Sequence, residues 1–316
     1  DVIEGITLAE LQSRLDQGNL SAKEVDIAKD GQRRDYPNGI SQCGTDALRF
    51  SLCSYISEGR DINLDVKRVE ANRRFCNKMW NACKFFLMKL GSGYQPRSVA
   101  EHLASAKIGF ESLADRWILA RMNNAAKDLN AAFARFNLME ATQVIYSFFL
   151  HDFCDTYIEA VKPLCTPDYP DANARVCAEN ALYTALEASL RMFHPFMPFV
   201  TEELYQRLPR RGGDLTPSIS ISPFPVYRDD LCDAIAEEQF NSVCEIVARV
   251  RSAASTEKAP KNTTITINVG GMSSSNAELL VSQELAMASL LRSVGQLTIS
   301  RESGDASESP TVSFSS

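Results

Sequence analysis

The sequence predicts a mainly α fold, an antiparallel bundle of long helices followed by a small α/β extension. Three observations predict it. Between residues 65 and 208 apolar residues recur at helical spacing in segment after segment. Loops rich in Pro and Gly interrupt those segments. Beyond residue 228 the period changes, and TTITINV (263–269) and QLTIS (296–300) alternate like strands between helical stretches.

Taken in order, LAELQSRLDQ (8–17) reads as a short helix ending near Gly18, and KDGQRRDYPNGISQCG (29–44) reads as turn. A helix starts at Thr45-Asp46 and runs to about Gly59, a suitable C′ residue. Long helices are expected over about 66–90, 111–133, 137–162 and 172–193. In HPFMPFVTEEL (194–204), Pro195 should stop one helix near His194, because a residue before proline is pushed from the α region. Pro198 suits the first turn of the next helix, so the two prolines mark a corner and His194 reads as structural. Residues 209–228 form a connector, 237–255 and 277–294 are helical, and the polar tail from 301 is expected to be poorly ordered. These features divide the chain into a mixed 1–64, a helical 65–208 and, after the connector, a smaller α/β pattern.

With 316 residues the chain can bury a substantial core, and 45% apolar and 23% charged residues suit a globular protein. The net charge of −7 gives no global nucleic-acid signature, so any such binding needs a local basic face. None of the nine cysteines forms a C-x-x-C pair, and with three histidines no zinc site is spelled out; buried, reduced thiols are expected. No stretch approaches the ~18 apolar residues of a membrane span. Nucleotide-binding glycine loops, G-x-S-x-G and H-E-x-x-H are absent, and His102 and His151 have no evident nucleophile beside them. The pairs Glu202/Glu203 and Glu237/Glu238 read as solvated, and no catalytic residue is assigned.

One helix differs from the rest. On 66–90, Met79, Cys83, Phe86 and Leu90 share the sector expected to face the core. Lys67, Arg74, Lys78 and Phe85 share another, roughly 150° away. Seven Lys or Arg lie between Asp65 and Leu90 against two acids. An aromatic ring among cations suits single-stranded nucleic acid: the cations track phosphates and the ring stacks on a base. The competing reading is that Phe85 packs on a neighbouring helix and the cations form a solvated face.

CGTDALRF (43–50), GRDINLD (59–65), FCNKMWNACKF (75–85), LADRWIL (113–119) and HPFMPFVTEELYQRLP (194–209) together resemble valyl-tRNA synthetases, a class I family, most closely the eukaryotic cytosolic form. The resemblance covers about residues 1–250 and corresponds to the portion after the catalytic domain. The HIGH and KMSKS signatures are absent from this sequence, and the chain reads as a piece of a longer protein. The resemblance implies a stem-contact region (1–64), a helical anticodon-binding domain (65–223) and the start of a C-terminal extension (224–316). It implies anticodon stacking by Phe85 and, through FCDTYIEAVKP (153–163), by Ile158, with Glu159 and Lys67 as polar neighbours. Arg74 and Lys78 would meet the tRNA backbone. Arg60, with Asp61, would meet the stem or close a salt-bridged loop. It further implies a part of an ATP-dependent valine–tRNA ligase that edits mischarged threonine. Its partners would be tRNA(Val), the rest of the synthetase, and translation-factor or multi-synthetase assemblies, with neither DNA nor membrane. This piece would hold no cofactor and be inactive alone, ATP and Mg belonging to the full enzyme. The cytoplasm is the expected location, with a mitochondrial form as the other placement. A stand-alone helical protein- or RNA-interaction module is the alternative function.

Overall fold

Local sequence starts most of the helices. In the computed structural model, which describes residues 1–56, 62–90, 94–98, 101, 112–166, 168–257, 260, 263–269, 272–291, 296–300 and 310–315, α1 (Leu8–Asp16) opens with a capping box between Thr7 and Glu10. Helix α2 (Ala22–Asp35) opens with a second box, Ser21 and Glu24. It overturns the expectation of turn from residue 29. Gly31 is carried inside the helix, and Lys29 ties it to α1 through Asp16 at 2.6 Å. The turn comes later, at Pro37-Asn38-Gly39. Gly39 has φ +77°, and a Cβ there would meet the Ile6 carbonyl at 2.2 Å, so glycine is required beside the Ile6–Ile40 bridge.

Helices α3 (Thr45–Cys53) and α4 (Val66–Lys89) follow, and the side chain of Asp65 caps α4 by accepting from the Lys67 N–H at 2.9 Å. The expected C′ position at Gly59 lies outside the described residues. Helix α5 (Leu113–Ala134) opens with a Ser112–Asp115 box and α6 (Leu138–Ser147) with Asn137. The single helix expected over 137–162 is three segments. A π-helical stretch, Phe148–Tyr157, separates α6 from the four-residue α7 (Ile158–Val161). It buries Phe149, Phe153 and Tyr157 in one aromatic column, with centroids 5.4 and 6.3 Å apart. Aromatic packing and the bond from the Tyr157 hydroxyl to buried Asp115 (2.6 Å) outweigh α-helical spacing here.

Helix α8 (Ala172–Phe193) is the axis of the bundle, buried on nearly all sides from Cys177 onward. It ends where Pro195 was expected to end it. Yet His194 keeps helical dihedrals (φ −53°, ψ −39°), so the stop comes from the N–H that Pro195 lacks and from the turn at 194–196. Helix α9 (Pro198–Arg207) begins with proline at its first position. Glu202 is an anchor and not a solvated carboxylate: it accepts from the Ser218 hydroxyl (2.8 Å) and the Ile219 N–H (3.0 Å), tying down the connector.

Helix α10 (Ala234–Thr256) packs along α5. Trp117 packs on Phe240 with ring centroids 4.9 Å apart and donates to Asn241, Arg116 pairs with Asp233 at 2.6 Å, and Glu237 accepts from Asn124 at 2.7 Å, so Glu237 too is engaged. Beyond it, β1 (Thr264–Asn268) leads through α11 (Ser274–Ser282) and α12 (Glu284–Leu291) to β2 (Gln296–Ser300), which runs parallel to β1. The tail supplies β3 (Thr311–Ser315), antiparallel to β1, giving the order β2-β1-β3. This corrects the expected disordered tail: its alternating Val312 and Phe314 complete the sheet, while 301–309 lie outside the described residues. Buried residues of the bundle and the sheet form one continuous core. Among the described residues no disulfide forms, most thiols are buried, and Cys232 is exposed. No described helix is long and apolar enough to cross a membrane.

Candidate nucleic-acid interface

The phase of α4 follows its sequence. Met79, Cys83 and Phe86 are fully buried, whereas Lys67, Arg73, Arg74 and Lys84 are exposed and have no ion-pair partner among the described residues. Lys78 is half-buried and bonded to Asp155 of the π-helical segment at 2.8 Å. Phe85 is half-buried, with one side packed against the core. Two ammonium groups approach its ring, Lys89 Nζ at 5.9 Å and Lys162 Nζ at 5.8 Å from the centroid. Lys89 comes from one turn further along α4 and Lys162 from the end of α7.

Helix α7 brings two further predicted residues to the same place. Ile158 is 6% exposed, so its body belongs to the core. The Glu159 carboxylate pairs with Lys162 at 2.5 Å. Phe85 and Glu159 therefore converge on Lys162, while Ile158 is carried on the same short segment as Glu159. The others are spread along α4. By helical rise Lys78 stands about 10 Å from Phe85, Arg74 about 16 Å and Lys67 about 27 Å. They form a track leading to the cluster and are not part of it. Arg60 and Asp61 lie outside the described residues, as does His102.

Sequence reasoning missed Lys162 as a partner of the ring. Lys89, at i+4 from Phe85, was legible from helical spacing. Lys162, seventy-seven positions away, was not. Beneath the cluster, burial pushes the Cys154 thiol up to about 12, so it carries no thiolate at neutral pH and offers no nucleophile. No group of His, Cys, Asp and Glu among the described residues is arranged to hold a metal ion. The arrangement suits binding: an aromatic ring, immobilised by packing, framed by cations and approached by an exposed basic stripe.

His194, by contrast, is spent on the fold. Its Nδ1 lies 2.8 Å from Thr201 Oγ1 and its Nε2 3.0 Å from Ser220 Oγ. Burial holds its pKa below the usual imidazole value. Asp46 and Arg49 of the CGTDALRF motif meet the same corner. Asp46 accepts from the N–H groups of Phe199 (3.2 Å) and Val200 (2.7 Å), capping α9 from another helix. Arg49 donates to the carbonyls of Pro195 (3.0 Å) and Phe196 (3.2 Å).

Residues 115–269 match the family described as anticodon-binding domain of tRNA ligase. This segment belongs to that domain family. Over most of its length the chain is similar to valine–tRNA ligases. It is 42% identical to that of Schizosaccharomyces pombe over 95% of this chain and 30% of the relative. It is 48% identical to that of Homo sapiens over 80% of this chain and 20% of the relative. With the enzyme of Saccharomyces cerevisiae named as mitochondrial it shares 40% identity over 98% of this chain and 27% of the relative. The chain thus spans under a third of the length of these relatives.

Proposed function

We propose that this chain reads the anticodon of tRNA(Val) and contacts its inner stem as part of a valine–tRNA ligase. The observation that carries this reading is the half-buried Phe85 ring with Lys89 and Lys162 within 6 Å of its centroid, at the end of the basic stripe of α4. An unstacked anticodon base would lie against the ring, with Glu159 and the edge of Ile158 beside it. Phosphates would follow Lys78, Arg74 and Lys67 along the helix. Residues 1–64 with Arg60 would meet the stem, 65–223 the anticodon loop, and 224–316 would form an extension attached through α10. Family membership and the valine–tRNA ligase relatives supply the class of RNA.

The chemistry of the whole ligase would be activation of valine with ATP and magnesium, transfer to the tRNA terminus, and hydrolysis of mischarged threonine. A hydrophobic pocket cannot strongly reject the near-isosteric hydroxylated analogue, hence the editing step. With HIGH and KMSKS absent from this sequence, those steps fall to the rest of the ligase, working in the cytoplasm with its translation-factor and multi-synthetase contacts.

Fluorescence anisotropy at two salt concentrations tests the reading. It uses tRNA(Val), the same tRNA with its central anticodon base changed, and Phe85→Ala. Phe85→Ala should weaken binding by about 1–3 kcal/mol, since the ring loses its stacked base, and changing the base should weaken binding of the unaltered chain through lost edge contacts. Equal, salt-sensitive binding to both RNAs by the unaltered chain would reduce its role to phosphate contact and defeat base reading.

A further inference from the structure

The candidate base-reading segment α7 is the last turn of a helical run continuous from Leu138, and it runs straight into Pro163. The carbonyls of a last turn have no partners within the helix. Proline also leaves a specific defect. The carbonyl of Glu159 would ordinarily accept from the N–H of residue 163, and Pro163 has none. The missing donor comes from the C-terminal extension: Ser289 Oγ, on α12, donates to the Glu159 carbonyl at 2.5 Å.

Helix α12 is itself fixed from behind. The Arg251 guanidinium of α10 donates to the Leu290 carbonyl, and Met287, Leu290 and Leu291 are buried in the common core. Helix α10 in turn is pinned to α5 by the Trp117–Asn241 and Arg116–Asp233 contacts. One continuous set of contacts thus runs from the bundle through the extension and back to α7. Ile158, Glu159 and Lys162 ride on that short helix and its end, while Phe85 sits on the independent α4. Their spacing depends on where α7 is held.

We infer that the C-terminal α/β extension sets base discrimination in the anticodon site, with Ser289 as a positioning residue that holds α7 against α4. The inference rests on the reading of Phe85, Ile158 and Glu159 as the base-contacting group. Ser289 touches no base; it replaces the hydrogen bond that Pro163 removes.

The test uses the 316-residue chain with Ser289→Ala, Ser289→Thr (hydroxyl kept) and Ser282→Ala, a control whose hydroxyl makes only local bonds, donating to Leu279 and accepting from Gln283. Two readouts are taken. In hydrogen exchange, Ser289→Ala should speed the amides of Lys162, Leu164 and Cys165, which close the last turn of α7, by about fivefold, and leave those of α5 and α8 unchanged. In anisotropy, the preference for tRNA(Val) over the base-changed tRNA should fall about fivefold, with the weaker, base-independent binding unaltered. Ser289→Thr should restore both and Ser282→Ala should change neither. Unchanged exchange in Ser289→Ala, or faster exchange with an intact preference, overturns the inference while leaving base reading in place. An unaltered chain without any base preference overturns base reading itself and the inference with it, and the exchange data then report only a structural bond.

Discussion

The corner at residues 194–202 and the cluster around Phe85 carry motifs of equal prominence in the sequence, and the structure uses them oppositely. At the corner the polar groups turn inward. Asp46 caps α9, Arg49 holds two carbonyls freed by the proline turn, and both ring nitrogens of His194 are engaged. Around Phe85, exposed cations on α4 have no ionic partner among the described residues, and the ring faces ammonium groups. A motif whose donors and acceptors are satisfied within the fold supports architecture. One that leaves an aromatic surface and cations unspent can bind.

Breaking the corner should have the largest effect, and on stability alone. Asp46→Ala strands two N–H groups at the start of α9 and removes a charged acceptor. Urea unfolding should show a loss of about 3 kcal/mol, with any base preference of the folded protein retained. If the preference fell with it, the two regions would not be separable.

The opposite substitution is smaller and falls on binding. Arg74→Ala removes an exposed cation of the track and should leave the unfolding midpoint within about 0.5 kcal/mol. It should reduce the slope of log affinity against log salt by about 0.7 for one lost phosphate contact. An unchanged slope would take Arg74 out of the RNA path.

The smallest effect sharpens the role of His194. Its folded pKa lies below the unfolded value, so between the two the unfolded chain binds more protons. The stability this histidine contributes is complete above about pH 6.5 and is lost as pH falls through the lowered folded value. Thermal unfolding followed from pH 7.5 to 5.5 should therefore fall less steeply in His194→Gln than in the unaltered chain. Parallel curves would show that His194 does not titrate differently on folding.

Much of the bundle was legible because its signals are local. The boundaries of α8, the start of α9 at Pro198 and the buried sector of α4 all follow from spacing, capping and proline within a few residues. Helix α2 was overlooked because Gly31 and the Pro37-Asn38-Gly39 turn outweighed the Ser21–Glu24 box in reading the segment. At the candidate site, Phe85 was visible by phase, and Ile158 and Glu159 came from resemblance to a family, with no signal in their own helix.

Taken alone, the sequence determined most of the long helices of the bundle, where prolines interrupt them, and that one helix presents an aromatic ring among cations, because each depends on neighbours within about four residues. Only the tertiary structure decided the rest. The π-helical segment follows from an aromatic column bonded to α5, and β3 exists because β1 offers it an edge. Lys162 reaches Phe85 from another helix, Asp46 caps α9 across the fold, and Ser289 supplies the donor that Pro163 lacks. Each of these satisfies a polar or apolar group with a partner remote in sequence. Local periodicity carries no record of such a partner, since its position is set by how the helices pack.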